Sequence, residues 1–222
     1  MSYSRDDMIR ELRENTPTIF APNCWGGITY HQLGLQFCSP FINMHIPHDE
    51  YLRFLSDPKY YMSQELKLRE MYIDESLDKP FPVAELGDIS LWMNHYDDFE
   101  EAAAIFERRA ARINWENLFV MFFDDDPHKI EQFLELPYEH KICFVPWETD
   151  IDGLIPVPYK EQEQLKKYPF WEILNNIALR VFILYDDVEL LYGAKYVKIG
   201  NILRENQVLT KHQGDTTRDT KK

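Results

Sequence analysis

An α/β fold, a mostly parallel sheet covered by helices, is what this sequence predicts, and three observations predict it. Leu118-Phe119-Val120-Met121-Phe122-Phe123 is an unbroken apolar run, the pattern of a parallel strand buried on both faces. Directly before it, Phe99, Ala102, Phe106, Ala110 and Ile113 recur at three- and four-residue steps, the stripe of an amphipathic helix. Near the N-terminus, Thr18-Ile19-Phe20-Ala21 halts at Asn23-Cys24 and passes through Gly26-Gly27 into Ile28-Thr29-Tyr30-His31-Gln32-Leu33. That reads as a strand, a tight turn and a helix.

Taken in order, residues 1–16 form a short N-terminal helix, with Ser4 and Asp7 spaced as a capping box. The first strand and its helix follow, and Gly26-Gly27 suits a turn that needs positive φ or a close backbone approach. Residues 37–44, broken by Pro40, read as loop or short strand. Residues 47–55 are helical, with Tyr51, Phe54 and Leu55 on one face and a stop at Asp57-Pro58. A further helix is expected over 60–69. Pro80-Phe81-Pro82 breaks the chain before an extended pair, 83–86 and 89–93, around Gly87. After the 97–113 helix and the 118–123 strand, Pro127 suits the first turn of the next helix, and residues 141–145 form the next strand. Strands alternating with helices in this order imply three layers in a Rossmann-like arrangement. Pro146, Pro156, Pro158 and Gly153 make 147–160 a long surface excursion that could serve as a lid. Phe170, Ile173, Leu174, Ile177, Ala178 and Val181 stripe a later helix, and 182–197 reads as a hairpin turning at Asp186-Asp187. Residues 17–210 are thus expected to be a single α/β domain, with 211–222 a polar, disordered tail.

Composition narrows the function. A chain of 222 residues supports one sizeable core, and 45% hydrophobic with 14% aromatic content supports a packed body. Lys and Arg number 24 against 38 Asp and Glu, a formal charge of −14, so a phosphate backbone would be repelled at long range. Nucleic acid is therefore excluded as a partner, and a small molecule or polysaccharide precursor is the expected substrate. A local basic patch remains compatible with one phosphorylated ligand. The N-terminus lacks a secretory pattern and no run approaches the ~20 apolar residues that span a bilayer, so no transmembrane segment and a cytoplasmic location are expected. Cys24, Cys38 and Cys143 are an odd number without CxxC spacing, which favours free thiols in a reducing compartment over structural zinc.

Three groups of residues carry candidate chemistry. Cys24 lies at a strand end beside a helix start, where the helix field stabilises a thiolate for nucleophilic use. The alternative is a small buried residue in a turn shaped by its glycines. On either reading Asn23, Trp25, Gly26 and Gly27 form a turn able to contact a ligand, and the helix amides favour an anionic group. His31, two helical turns along, is too far to be the base. Asp124 and Asp126, one residue apart after a strand, can hold Mg²⁺ or Mn²⁺ bridging a nucleotide diphosphate, the Asp-x-Asp pattern of many sugar-nucleotide glycosyltransferases. The alternative is a solvated loop that caps the Pro127 helix. His95 follows the 89–93 strand on the side where open parallel sheets place their sites, with a pKa suited to acid–base work, or else is a hydrogen-bonded structural residue. Asp88 sits near the other end of that strand. His45 and His48 flank a proline without a third ligand at metal spacing and read as loop residues. Arg108 and Arg112 read as a solvated face of their helix, paired with the abundant acids.

Asn23-Cys24-Trp25-Gly26-Gly27, the Leu33-Gly34-Leu35 to Ser39-Pro40-Phe41 passage, His95-Tyr96 and the Arg108 to Phe119 block (Arg108-Arg109-Ala110-Ala111-Arg112-Ile113-Asn114-Trp115-Glu116-Asn117-Leu118-Phe119) together resemble a bacterial domain family of unknown function. Its members are often labelled exopolysaccharide biosynthesis proteins. The resemblance covers roughly residues 18–145. It implies an α/β fold, a role near capsule or exopolysaccharide gene products, and Arg109 with Asn114 as a functional, ligand-binding pair. The Asn-Cys turn is also similar to that of polysaccharide acyltransferases whose first strand ends in Asn-Cys. Two functions are therefore expected as alternatives. One is a cytoplasmic transferase acting on a surface-polysaccharide precursor. It would move a sugar from a nucleotide donor with Asp124 and Asp126 on Mn²⁺ or Mg²⁺, or an acyl group from coenzyme A with Cys24 or His95 at the centre. The other is a non-catalytic binding or assembly protein of the polysaccharide machinery.

Overall fold

The computed structural model describes residues 5–73 and 79–156. The helix expected at Pro169, the 182–197 hairpin and the 211–222 tail lie outside the described residues, as do Ser4 of the capping box and the far end of the 147–160 excursion.

Among the described residues, two sheets organise the fold. Strands β1 (Thr18–Phe20), β5 (Leu118–Phe123), β6 (His140–Val145) and β7 (Leu154–Pro156) lie side by side in the order β1-β5-β6-β7, every pair parallel. Strands β2 (Leu66–Tyr72), β3 (Phe81–Leu86) and β4 (Ile89–Trp92) form a second, antiparallel sheet. The helices are α1 (Arg5–Glu14), α2 (Trp25–Leu33), α3 (His48–Ser56), α4 (Pro58–Met62), α5 (Phe99–Ala110) and α6 (Pro127–Glu135). The parallel sheet with covering helices is thus as the sequence predicts. The 83–86/89–93 pair turns at Gly87, φ 65°, in a sheet of its own.

The expected 60–69 helix is not formed. Its first residues belong to the one-turn helix α4, and its last four open strand β2. Lys, Leu, Arg and Glu are good helix formers, but the ladder from Leu66↔Leu86 to Tyr72↔Phe81 overrides local propensity. The surface excursion after Pro146 is also shorter than expected, because Gly153, φ 86°, turns the chain back and β7 adds a fourth strand beside β6.

Side chains alternate across the parallel sheet into two cores, as pleating requires. Ile19, Ala21, Phe119, Met121, Phe123, Ile142 and Phe144 face α1 and α2, where Leu12, Trp25, Tyr30 and Leu33 cover them. Phe20, Val120, Phe122, Cys143 and Val145 face the opposite way, toward α3, α5, α6 and the antiparallel sheet. On that side Phe54 meets Phe20 and Phe41 edge to face, with centroids 5.1 and 4.8 Å apart, and each such pair contributes about 0.5–1.5 kcal/mol beyond the area it buries.

The start of α2 is fixed by Asn23, whose Oδ1 accepts from the Trp25 amide at 3.0 Å. Its end is fixed by Gly34, φ 61°, whose amide and that of Leu35 donate to the carbonyls of His31 and Tyr30. Gly26 and Gly27 are helical, not left-handed, so of the two reasons for a glycine pair only close approach applies. A Cβ on Gly26 would meet Cγ2 of Ile19 at 3.3 Å, and one on Gly27 would meet Cγ2 of Ile42 at 2.8 Å. The helix therefore lies directly on β1 and on the loop that follows it.

Candidate functional site

The C-terminal edge of the parallel sheet gathers the chemistry, as open parallel sheets do. Chain leaving β1 supplies Asn23 and Cys24, and chain leaving the adjacent β5 supplies Asp124. A loop ahead of α3 crosses this edge. The amide of its Ile46 donates to the carbonyl of Pro22 at 2.9 Å, while His45 and Trp92 exchange backbone hydrogen bonds at 2.8 Å each way. That loop ties the outlet of β1 to the outlet of β4, and His95 follows β4 by three residues.

Cys24 and His95, expected separately, come together. Sγ of Cys24 lies 3.3 Å from Nε2 of His95, across 71 residues of chain. Burial pushes the Cys24 thiol above its ordinary value, so at neutral pH the sulfur keeps its proton, and the His95 imidazole is the ring in contact with it. Cys24 also caps α2, and the Ile28 amide donates to its carbonyl, while the amides of Gly26 and Gly27 stand in the first turn, where no preceding turn supplies an acceptor.

A second pair sits at the same edge. Nδ1 of His48 is 2.7 Å from Oδ2 of Asp124, and both side chains are largely buried. Oδ1 of Asp124 accepts from the amides of Asp125 and Asp126 at 2.8 and 2.9 Å. Burial alone would raise this carboxyl, but the bonds from His48 and the Asp126 amide outweigh it and hold the group below its ordinary value. The His48 ring stands edge-on to Phe122 and Phe123, centroids 5.0 and 4.5 Å away, which fixes its orientation. His45 lies nearby with Nδ1 buried and without a hydrogen-bond partner. Burial and the neighbouring His48 lower its pKa to about 4, so it is neutral at physiological pH. Lys129 pairs with Asp49 at 3.0 Å beside Asp124.

Other expected site residues are placed differently. Asp126 caps α6, its Oδ1 accepting from the His128 amide at 2.9 Å. Asp124 is bonded through both oxygens as well, and no group of three or more His, Cys, Asp or Glu among the described residues is arranged to hold a metal ion. The ring of Trp25 is buried in the core, stacked on Phe119 with centroids 6.1 Å apart, so only its backbone can face a ligand. Arg109 spends its guanidinium on the Ile42 carbonyl at 3.2 Å and the Tyr96 hydroxyl at 2.9 Å and lies over the Phe37 ring, which makes it a brace for the residue next to His95. Asn114 is at the opposite end of the sheet. Its amide donates to Oγ1 of Thr18 at 2.7 Å and its side chain to Asn15 and the Thr16 carbonyl, so it is not brought to the Cys24 edge. Asp88 pairs with Tyr61 and Arg53, away from His95.

The His48–Asp124 pair was not foreseen. The available signals were its parts, a histidine opening a helix after Pro47 and an acid ending an apolar strand, but 76 residues separate them.

Fold and site together define an α/β protein with a cysteine–histidine pair and a histidine–aspartate pair at one sheet edge. The chain belongs to the family described as a domain of unknown function (DUF1919), which matches residues 3–186. It is also similar to a protein of Haemophilus influenzae (strain ATCC 51907 / DSM 11121 / KW20 / Rd) described as uncharacterized, with 30% identity over 138 residues. The match covers 61% of this chain and 64% of that relative, so it spans less than two thirds of the relative's length. No helix among the described residues is long and apolar enough to cross a membrane.

Proposed function

We propose that the chain is an acyltransferase that carries its acyl group on Cys24, with a hydroxyl of a surface-polysaccharide precursor as acceptor. The 3.3 Å approach of Cys24 Sγ to His95 Nε2 carries the reading, because a half-buried, protonated thiol becomes a nucleophile only with a base in contact. His95 takes the thiol proton as sulfur attacks the carbonyl carbon of an acyl-coenzyme A. The bond to the coenzyme A sulfur breaks, and that sulfur takes the proton from His95. The first-turn amides of Gly26 and Gly27 are suitably placed donors for the oxyanion of the tetrahedral intermediate. The acceptor class rests on the sequence resemblance to exopolysaccharide biosynthesis proteins. Acyl transfer is preferred to glycosyl transfer because Asp124 and Asp126 are committed to His48 and to the start of α6.

Incubation with acetyl-coenzyme A followed by intact-protein mass spectrometry tests this. One acetyl group is expected on Cys24 of the unaltered chain and none on Cys24→Ala, with loading slowed about 10²- to 10⁴-fold in His95→Ala. Failure of the folded, unaltered chain to acquire an acyl group would favour the second reading, a binding or assembly protein. That reading draws support from the structural employment of Asn23, Trp25, Gly26 and Gly27.

A further inference from the structure

The His48–Asp124 pair has no part in loading Cys24 as described above, yet it is built as a base. Asp124 is locked by two backbone amides on one oxygen and by His48 on the other. The imidazole is clamped edge-on against Phe122 and Phe123. With Nδ1 committed as donor to a carboxylate, Nε2 is the nitrogen left with a lone pair, the tautomer a general base needs. Packing alone does not call for this arrangement, since burying a carboxylate and an imidazole costs desolvation that an apolar pair would avoid. The pair lies at the same sheet edge as Cys24. Asp124 leaves β5 as Asn23 and Cys24 leave β1, the neighbouring strand, and His48 lies two residues beyond the amide of Ile46 that is bonded to Pro22.

Resting on the acyl-Cys24 reading, we infer that His48, positioned by Asp124, is the general base of the second half-reaction, taking the proton from the acceptor hydroxyl. The acceptor oxygen attacks the carbonyl carbon of the Cys24 thioester as its proton passes to Nε2 of His48. The carbon–sulfur bond then breaks, an ester forms, and the departing sulfur regains a proton from solvent through His95. His48 returns the acceptor's proton to solvent, so no net charge or redox change remains. The site thus uses one histidine for each half-reaction, and the acceptor it takes is a hydroxyl compound. The neighbouring His45, Lys129, Asp49, Asp126 and the buried Cys143 thiol are charged or titratable groups around the pair.

The two halves separate in a stopped-flow experiment with p-nitrophenyl acetate, which loads a thiol without donor recognition, with methanol as a minimal acceptor. The unaltered chain should release one burst of nitrophenolate per Cys24 and then turn over steadily, faster with methanol. His48→Asn should keep the burst while its steady rate falls about a hundredfold or more, leaving acetyl-Cys24 visible by mass. Asp124→Asn should keep the burst and move the pH midpoint of the steady phase, which a merely structural role would not do. Thermal melts verify that both variants are folded. A folded His48→Asn with an unchanged steady rate, or one that loses the burst itself, overturns the assignment of His48 while leaving Cys24 acylation standing. Absence of a burst in the unaltered chain removes the parent reading and this one together.

Discussion

A methyl group at Gly27 would stand 2.8 Å from Cγ2 of Ile42, and at Gly26 it would stand 3.3 Å from Cγ2 of Ile19. The first distance requires something to move, and Ile42 is held in place, since its carbonyl receives Arg109 and the Tyr96 hydroxyl. Gly27→Ala is therefore expected to lower stability by about 1–3 kcal/mol, as overpacked cores do, and Gly26→Ala by less. Urea unfolding of the two variants measures the difference. The sequence marks both glycines as special but leaves two reasons open, because close approach depends on Ile19 and Ile42, whose contacts exist only in the folded chain.

At the scale of elements, α6 offers a test of what its first acid does. Asp126 accepts the His128 amide, and loss of such a cap costs roughly 1 kcal/mol. Asp126→Ala should lower the melting temperature by the same amount with or without Mn²⁺, and a Mn²⁺-dependent stabilisation lost in the variant would establish the metal role instead. Elements with strong periodicity are legible in sequence. α5 lies within its predicted stripe and is capped by Asp98, whose side chain accepts the Glu101 amide, and β5 is the expected doubly buried strand. β2 is not legible. It is an edge strand whose outward residues Leu68 and Met71 are exposed and whose composition favours helix, so its identity comes from the β3 partner beside it.

For the molecule as a whole, His45 makes stability depend on pH. Its folded pKa, about 4, lies below the ordinary 6.5, so between these values the unfolded chain binds the extra proton. Stability is full above pH 6.5 and falls as pH drops toward 4, by on the order of 3 kcal/mol from this group. Asp124, also lowered, loses its contribution further down in pH, as the carboxyl is protonated. Urea midpoints at pH 7 and 5 should differ in the unaltered chain and differ less in His45→Gln. The candidate site was half legible at this scale. Cys24 and His95 are identifiable as residue types at a strand end and after a strand, but their meeting is a property of the loop that joins Pro22 to Ile46 and His45 to Trp92. The His48–Asp124 pair is hidden for the same reason. That long-range construction has a consequence in time. Thr18 and Leu118 are partners in the ladder though 100 residues separate them, so β1 can dock only after a large loop has closed. Until then the Cys24 sulfur stands without His95 beside it, and the change in its rate of reaction with an alkylating agent on refolding is a clock for completion of the sheet.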